Sequence, residues 1–290
     1  MEAATILNRD KGDRAAVEQS LRSAGIDGPI EAVEGNRIAA RAKELVEQGT
    51  KRIVVGGGDG SVGAAAQALA GSNAALGILP LGTLNHFARD LGIPFELDRA
   101  AALIAEGSAR TVDVAEVNGR VFVNNSAIGL YPLMVVDRQS QQHRLGRSKR
   151  LAMLIASLRT LARFHDSRLM LSTDAGRTAV DTPLLFVGNN DYSLALPAAG
   201  RREALDEGKL CVLVMRKKGA AGFLAATLRA LIGRTRPDDM VRMDALTRLR
   251  VESTRATLTV SIDGETCRLS PPLDYRIRPS ALRVIAPARA

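Results

Sequence analysis

Residues 53–64 read Ile-Val-Val-Gly-Gly-Gly-Asp-Gly-Ser-Val-Gly-Ala. An apolar, β-branched run opens onto glycines grouped around one acid, and an Ala-rich helical stretch follows. Glycines let backbone N–H groups come close to an anion, and a helix N-terminus behind them adds a favourable dipole. Asp59 puts a carboxylate into this cradle, where it would repel phosphate unless a divalent cation lay between them. The combination points to nucleotide bound with Mg²⁺. Residues 58–63 also fit G-x-G-x-x-G. That fingerprint calls for an acid about 20 residues on, at the end of the next strand. Here the strand ends Ile-Leu-Pro-Leu-Gly-Thr, so the dinucleotide reading lacks its confirmation. A plain structural turn would not need so many glycines around an acid.

Two further segments carry candidate chemistry. Leu79-Pro80-Leu81-Gly82-Thr83-Leu84-Asn85-His86-Phe87-Ala88-Arg89 is again a strand, a Gly turn with a hydroxyl, and a helix start. Thr83 is placed to donate to a phosphate oxygen, with the N–H groups of a helix beginning at Asn85 pointing the same way. The plainer reading makes Thr83 a helix cap. Ser261-Ile262-Asp263-Gly264-Glu265 runs a strand into an Asp-Gly turn. The plainer reading is a hairpin; the functional one makes Glu265 a carboxylate carried in from a second domain.

The elements that must position these residues follow from periodicity. Strand and helix patterns alternate over the first ~110 residues: strands at Ala4–Leu7, Ile30–Val33, Lys51–Val55 and Leu76–Leu79, helices at Asp13–Ala24, Ile38–Gln48, Val62–Leu69, Asn85–Leu91 and Arg99–Glu106, the last capped by Asp98. Alternation predicts a three-layer α/β domain with a mostly parallel sheet, whose ligands lie beyond the carboxyl ends of the strands. Both Gly loops occupy that position. From Thr111 onward short strand-like runs dominate, at Val112–Val117, Val121–Asn124, Arg168–Ser172, Leu184–Val187, Leu210–Met215, Arg248–Glu252, Thr257–Ile262, Tyr275–Arg278 and Leu282–Ile285. They predict a β-rich, sandwich-like second domain, with helical segments near 147–165 and 219–234.

The chain has 290 residues, 40 Lys and Arg against 31 Asp and Glu, a formal charge of +9, and 46% hydrophobic residues. This is a globular composition whose positive excess favours polyanionic partners or an anionic membrane face. Aromatics make up 3%, which argues against stacking on single-stranded nucleic acid. Cys211 and Cys267 are the two cysteines, too few for a cysteine zinc site, and read as buried thiols. The N-terminus shows no secretory pattern, and the longest apolar stretch, Gly219 to Leu228, is too short to span a bilayer. A cytoplasmic protein is expected, working peripherally at the inner face of a membrane. Along 147–165 and 216–236, leucines at helical spacing alternate with basic residues, a pattern shared by membrane-surface helices and by ordinary amphipathic ones.

In combination, Gly57-Gly58-Asp59-Gly60-Ser61, then Gly82-Thr83-Leu84-Asn85-His86-Phe87-Ala88-Arg89, then Asp263-Gly264-Glu265, resemble the diacylglycerol kinase catalytic-domain family of lipid kinases, the bacterial members in particular. Weaker matches lie at Val187–Asn190, Leu205–Leu210 and Pro279–Val284. The resemblance implies an ATP-binding domain of NAD-kinase or phosphofructokinase type over 1–112 plus about 279–290. It implies a β-rich lipid-substrate domain over 113–278, with the active site in the cleft between the two. It implies ATP held by Asn8, Gly12, Gly57, Gly58, Asp59, Gly60, Ser61, Val62, Gly63, Thr83 and Asn85, with Asp59 on the nucleotide Mg²⁺ and Glu265 as base. A second, structural Mg²⁺ is implied at Ala204, Glu207 and Lys209. Departures from the family pattern are His86 for a usual aspartate, Ser61 for threonine, Glu207 for aspartate, and Asn8-Arg9-Asp10-Lys11-Gly12 as the first loop. The expected function is ATP-dependent phosphorylation of a lipid hydroxyl at a membrane surface, without nucleic acid; a homodimer is left open. The alternatives are a soluble, NAD-kinase-like small-molecule kinase and a silent nucleotide or lipid sensor.

Overall fold

A computed structural model describes residues 1–129, 166–194, 200–216 and 232–288, with positions 222, 225–226 and 228–230. The helix expected at 147–165 lies outside the described residues, as does much of the one at 219–234. The described chain forms two compact units: 1–124 with 203–208 and 278–290, and 125–202 with 209–277. Residues 113–124 and 203–208 therefore belong with the first unit, although the strand-rich texture after Thr111 assigned them to the second domain.

In the first unit, parallel strands β1 (Ala4–Asn8), β2 (Ile30–Val33), β3 (Arg52–Gly57) and β4 (Ala75–Pro80) lie in the order β2-β1-β3-β4. The final strand, β16 (Leu273–Ile285), joins this sheet through Arg283 and Val284, parallel to β4. Helices α1 (Arg14–Ser23) and α5 (Leu97–Glu106) pack together, as do α2 (Ile38–Glu47) and α3 (Asp59–Leu69). Two helical layers around a sheet buried on both faces explain the unbroken apolar runs of β3 and β4. Ile53, Val54, Val55, Leu76 and Leu79 are wholly buried. The chain steps from β1 to β2 on one side and then returns to β3 on the other. The carboxyl ends of β1 and β3 thus flank a switch point, where such sheets hold ligands.

Asp98 does not cap α5. That helix begins earlier, at Leu97, after Glu96, and the Asp98 carboxylate accepts a hydrogen bond from the Ser20 hydroxyl of α1. Strand β5 (Ala109–Val117) forms a hairpin with β6 (Arg120–Phe122) and also pairs with β16. Within β5, the buried Asp113 carboxylate accepts from Ser280 N at 2.8 Å and Gly208 N at 2.7 Å. It ties the returning strand and the 203–208 segment to the first unit.

The second unit contains two antiparallel groups. One is ordered β12 (Met240–Leu246), β11 (Leu210–Met215), β10 (Leu184–Asn189), β7 (Asn125–Gly129), β14 (Leu258–Ile262), β15 (Glu265–Leu269). The other joins the early part of β16 to β13 (Arg248–Glu252), β8 (Ser167–Thr173) and β9 (Gly176–Thr182). A buried hydrogen bond of 3.1 Å from Ser126 on β7 to Tyr275 on β16 links them, and burial pushes the Tyr275 phenol well above its usual range. Strands β7, β9, β12 and β15 are absent from the sequence reading; the last three are edge strands in which only Thr182 is buried. Edge strands lack the apolar alternation on which such a reading depends. Cys211 is buried in β11 and Cys267 half-buried in β15.

Replacing Asp113 with Ala leaves two backbone N–H groups without their charged acceptor. The expected loss is about 3 kcal/mol of unfolding free energy, read as a lower urea midpoint at unchanged slope.

Candidate active site

The first Gly loop takes its shape from contacts that exclude side chains. Gly57 ends β3, and a Cβ there would collide with Ser61 one turn into α3. A Cβ on Gly82 would lie 2.5 Å from Gly58 Cα and 2.6 Å from Asn85 Oδ1. The two loops therefore meet backbone to backbone, and Leu81 N donates to Gly57 O at 2.9 Å. Gly82, which the sequence reading did not assign to the site, is essential to this approach.

Helix α3 starts at Asp59, with Gly58 as its N-cap. The N–H groups of Gly58, Asp59, Gly60 and Ser61 precede the first helical hydrogen bond and have no carbonyl one turn back. That first bond runs from Val62 N to Gly58 O at 3.0 Å. Val62 consequently turns into the core with its N–H committed, and Gly63 lies further along the helix. Asn8, at the end of β1, donates from Nδ2 to Ser61 Oγ at 2.9 Å, which leaves the Ser61 hydroxyl proton free to donate elsewhere. Asn8 Oδ1 accepts from Asp10 N at 3.1 Å and so shapes the first loop. Gly12, at φ +75°, closes that loop in a backbone form that suits glycine. A cavity of about 400 Å³ adjoins it, with Arg9, Val33, Glu34, Arg37 and Arg41 among its walls.

Asp59 connects the two motifs. Its Oδ1 accepts from Phe87 N at 3.3 Å, in the first turn of α4 (His86–Asp90). Its Oδ2 has no protein partner among the described residues, so one oxygen is free for a cation or water. Asn85 is buried with φ 47° and turns its side chain back, accepting from Gly82 N at 3.0 Å and donating to Gly82 O at 2.9 Å. It fixes the turn, and α4 begins after it, at His86. Thr83 is exposed on that turn and does not cap the helix. Arg89 Nη2 donates to His86 Nδ1 at 2.9 Å. Because a guanidinium can only donate, the His86 proton sits on Nε2, and the ring offers a donor where a metal-binding carboxylate was expected.

In the second unit, β14 and β15 form a two-residue hairpin through Asp263 (φ 47°) and Gly264 (φ 84°). Positive φ at both positions gives the turn that matches strand twist. Asp263 is held by Asn125, whose N donates to Asp263 Oδ1 at 3.1 Å. Glu265 is exposed at the start of β15, and its carboxylate makes no ion pair or hydrogen bond among the described residues. Of the expected structural metal residues, Ala204 and Glu207 lie in the 203–208 segment of the first unit. Lys209 lies in the second, paired with Asp191 at 2.7 Å. Burial pushes the Asp191 carboxyl up, but Lys209 and Arg242 outweigh it and hold it below the usual carboxylate range. Among the described residues no three His, Cys, Asp or Glu side chains cluster as a metal site.

The family model described as diacylglycerol kinase catalytic domain matches residues 6–117, and that described as YegS C-terminal NAD kinase beta sandwich-like domain matches 134–286. The chain belongs to the diacylglycerol kinase catalytic-domain family. A Pseudomonas aeruginosa relative named probable lipid kinase YegS-like is 30% identical over 280 residues, covering 95% of this chain and 89% of that protein. A Bacillus subtilis diacylglycerol kinase is 26% identical over 256 residues, covering 87% and 83%. A solved diacylglycerol kinase from Bacillus anthracis superposes with a TM-score of 0.71 at 20% identity, covering 99% of this chain and 97% of that one, a likeness of fold. Membership of this lipid-kinase family assigns the chain to the kinase-type transferases.

The Gly58–Gly82 contact is testable without substrate. Gly82→Ala forces the two loops apart and should cost about 1–3 kcal/mol, seen as a lower midpoint in urea unfolding.

Proposed function

We propose that this member of the family transfers the γ-phosphate of ATP to a hydroxyl of a diacylglycerol-like lipid, with Mg²⁺. The observation that carries the reading is Asp59: a carboxylate with one oxygen fixed by Phe87 N and the other free, at a helix N-terminus walled by glycines. Such a donor set fits a divalent cation beside phosphate oxygens. Mg²⁺ at Asp59 would neutralise phosphate charge as it develops.

The chain's own residues supply the rest. The N–H groups at Gly58, Gly60 and Ser61 neutralise negative charge, and the Ser61 hydroxyl, oriented by Asn8, donates to a phosphate oxygen. Thr83, exposed on the Gly82 turn, offers a second hydroxyl. The cavity walled by Arg9, Glu34 and Arg37 has a volume suited to the nucleoside half of ATP. In the transfer, the lipid oxygen bonds to the γ-phosphorus as the bond to the bridging oxygen breaks. ADP departs, and the hydroxyl proton passes to Glu265. A free, exposed carboxylate is suited to that task because no ion pair competes for it. The positioning of reactants supplies most of the acceleration. A protein acting peripherally in the cytoplasm fits this chemistry, and no helix among the described residues is long and apolar enough to cross a membrane.

A radiolabelled-ATP assay over diacylglycerol, ceramide and sphingoid bases should show lipid-dependent transfer by the wild type. Glu265→Gln should lower kcat by about 10²–10⁴-fold with little change in KM for ATP, and Asp59→Asn should raise the Mg²⁺ concentration needed. Near-wild-type turnover by Glu265→Gln would remove the base assignment. An absence of transfer to every lipid would remove the lipid reading.

A further inference from the structure

Helical residues near the end of the second unit's long connection between β11 and β12 leave two large apolar side chains open to solvent. Ala226 and Ala230 are buried at 0% and 7% exposure, whereas Leu228 and Ile232 are exposed at 55% and 62%. Each pair is separated by one helical turn, and two residues carry the chain to the opposite side. Among the described residues, Leu228 and Ile232 therefore stand on the solvent side, opposite Ala226 and Ala230.

This arrangement is firmly held. The wholly buried carboxylate of Asp239 accepts from Arg229 through Nε at 2.7 Å and through Nη2, and from Arg236 N at 3.1 Å. Asp239 O accepts from Arg216 N at 2.9 Å. The helical end is closed by Ile232 N donating to Leu228 O at 3.2 Å and Arg234 N donating to Arg229 O at 2.8 Å. Arg229 is thereby spent on Asp239, while Arg216 and Arg236, whose backbones bond to Asp239, and Arg234, two residues after Ile232, remain exposed, as does Asp238.

From this geometry we infer a membrane-docking surface. Leu228 and Ile232 enter the headgroup–acyl boundary of an anionic bilayer, and Arg216, Arg234 and Arg236 bind lipid phosphates. Two apolar side chains one turn apart are far too small for a standard protein–protein interface, but suffice as a wedge when cations add to them. Guanidinium groups also suit phosphate geometry. The inference rests on the reading of the acceptor as a lipid and names the surface by which the enzyme reaches it.

The test reads binding rather than phosphorylation and uses the full chain without ATP. Co-sedimentation compares vesicles of phosphatidylcholine alone with vesicles containing about one third phosphatidylserine. Wild type should bind the anionic vesicles at low salt. Leu228→Ser with Ile232→Ser should weaken that binding about tenfold or more, and Arg234→Gln with Arg236→Gln should narrow the difference between vesicle types. All of these side chains are exposed, so the variants should melt with the wild type. The chain contains no Trp, so Leu228→Trp provides a single reporter whose emission should shift to the blue with vesicles and be quenched by brominated lipid. Unchanged binding of the Leu228→Ser, Ile232→Ser variant would overturn the inference, as would an unshifted Trp. A wild-type dimer abolished by that variant, without vesicle binding, would assign the surface to a second copy of the chain and equally overturn it. Failure of the kinase reading would look different: vesicle binding intact and no lipid phosphorylated.

Discussion

Two glycines in van der Waals contact, Gly58 and Gly82, set the geometry on which the candidate site depends. Because neither has a Cβ, the turns after β3 and β4 can approach until Leu81 N reaches Gly57 O and Phe87 N reaches Asp59. Asn85 is committed to the same purpose, since its side chain satisfies both backbone groups of Gly82. Asp59 is therefore a strut as well as the candidate metal ligand. One oxygen holds the second loop in place while the other remains available. A shift of either loop would move the carboxylate relative to the free N–H groups of α3, and positioning errors of about 1 Å are costly in transfer chemistry.

The distribution of polar burial follows the same economy. In the first unit the buried carboxylate of Asp113 accepts from backbone N–H groups of two segments distant in sequence. In the second, buried Asp239 is satisfied by Arg229 and by backbone. Each carboxylate gathers chain that apolar packing alone would not hold in register, and buried charge is tolerable only with such complete pairing.

The parallel sheet was legible in the sequence because strands covered on both faces must be continuously apolar, as β3 and β4 are. The three motifs were legible because Gly-rich turns and acids stand out against helical and strand patterns. What escaped depends on which partner each group finds in the fold, which residue type and spacing do not show. Asn85 looked like a ligand to phosphate, yet its side chain is committed to the Gly82 turn. Val62 lay within the glycine motif, but the first helical hydrogen bond already claims its N–H. Asp98 looked like a cap, but Ser20 on another helix recruits it. The edge strands β9, β12 and β15 escaped because, partly exposed, they show no regular apolar alternation. The leucine periodicity near 228 was ambiguous, since spacing alone does not reveal which face of a helix meets the protein.

The route of the chain has a consequence for its biosynthesis. The first unit is assembled from 1–124, 203–208 and 278–290, so the chain leaves it and comes back twice. Strand β4 gains its outer neighbour from Arg283 and Val284, which follow the whole of the second unit in the chain. While the ribosome is still translating the second unit, β4 is an unpaired edge of a highly apolar sheet, the kind of edge that recruits foreign strands. Strand β16 thus serves as a late-arriving clasp. A nascent chain stalled or cleaved before residue 283 would carry both Gly loops complete in sequence on a sheet still open to aggregation.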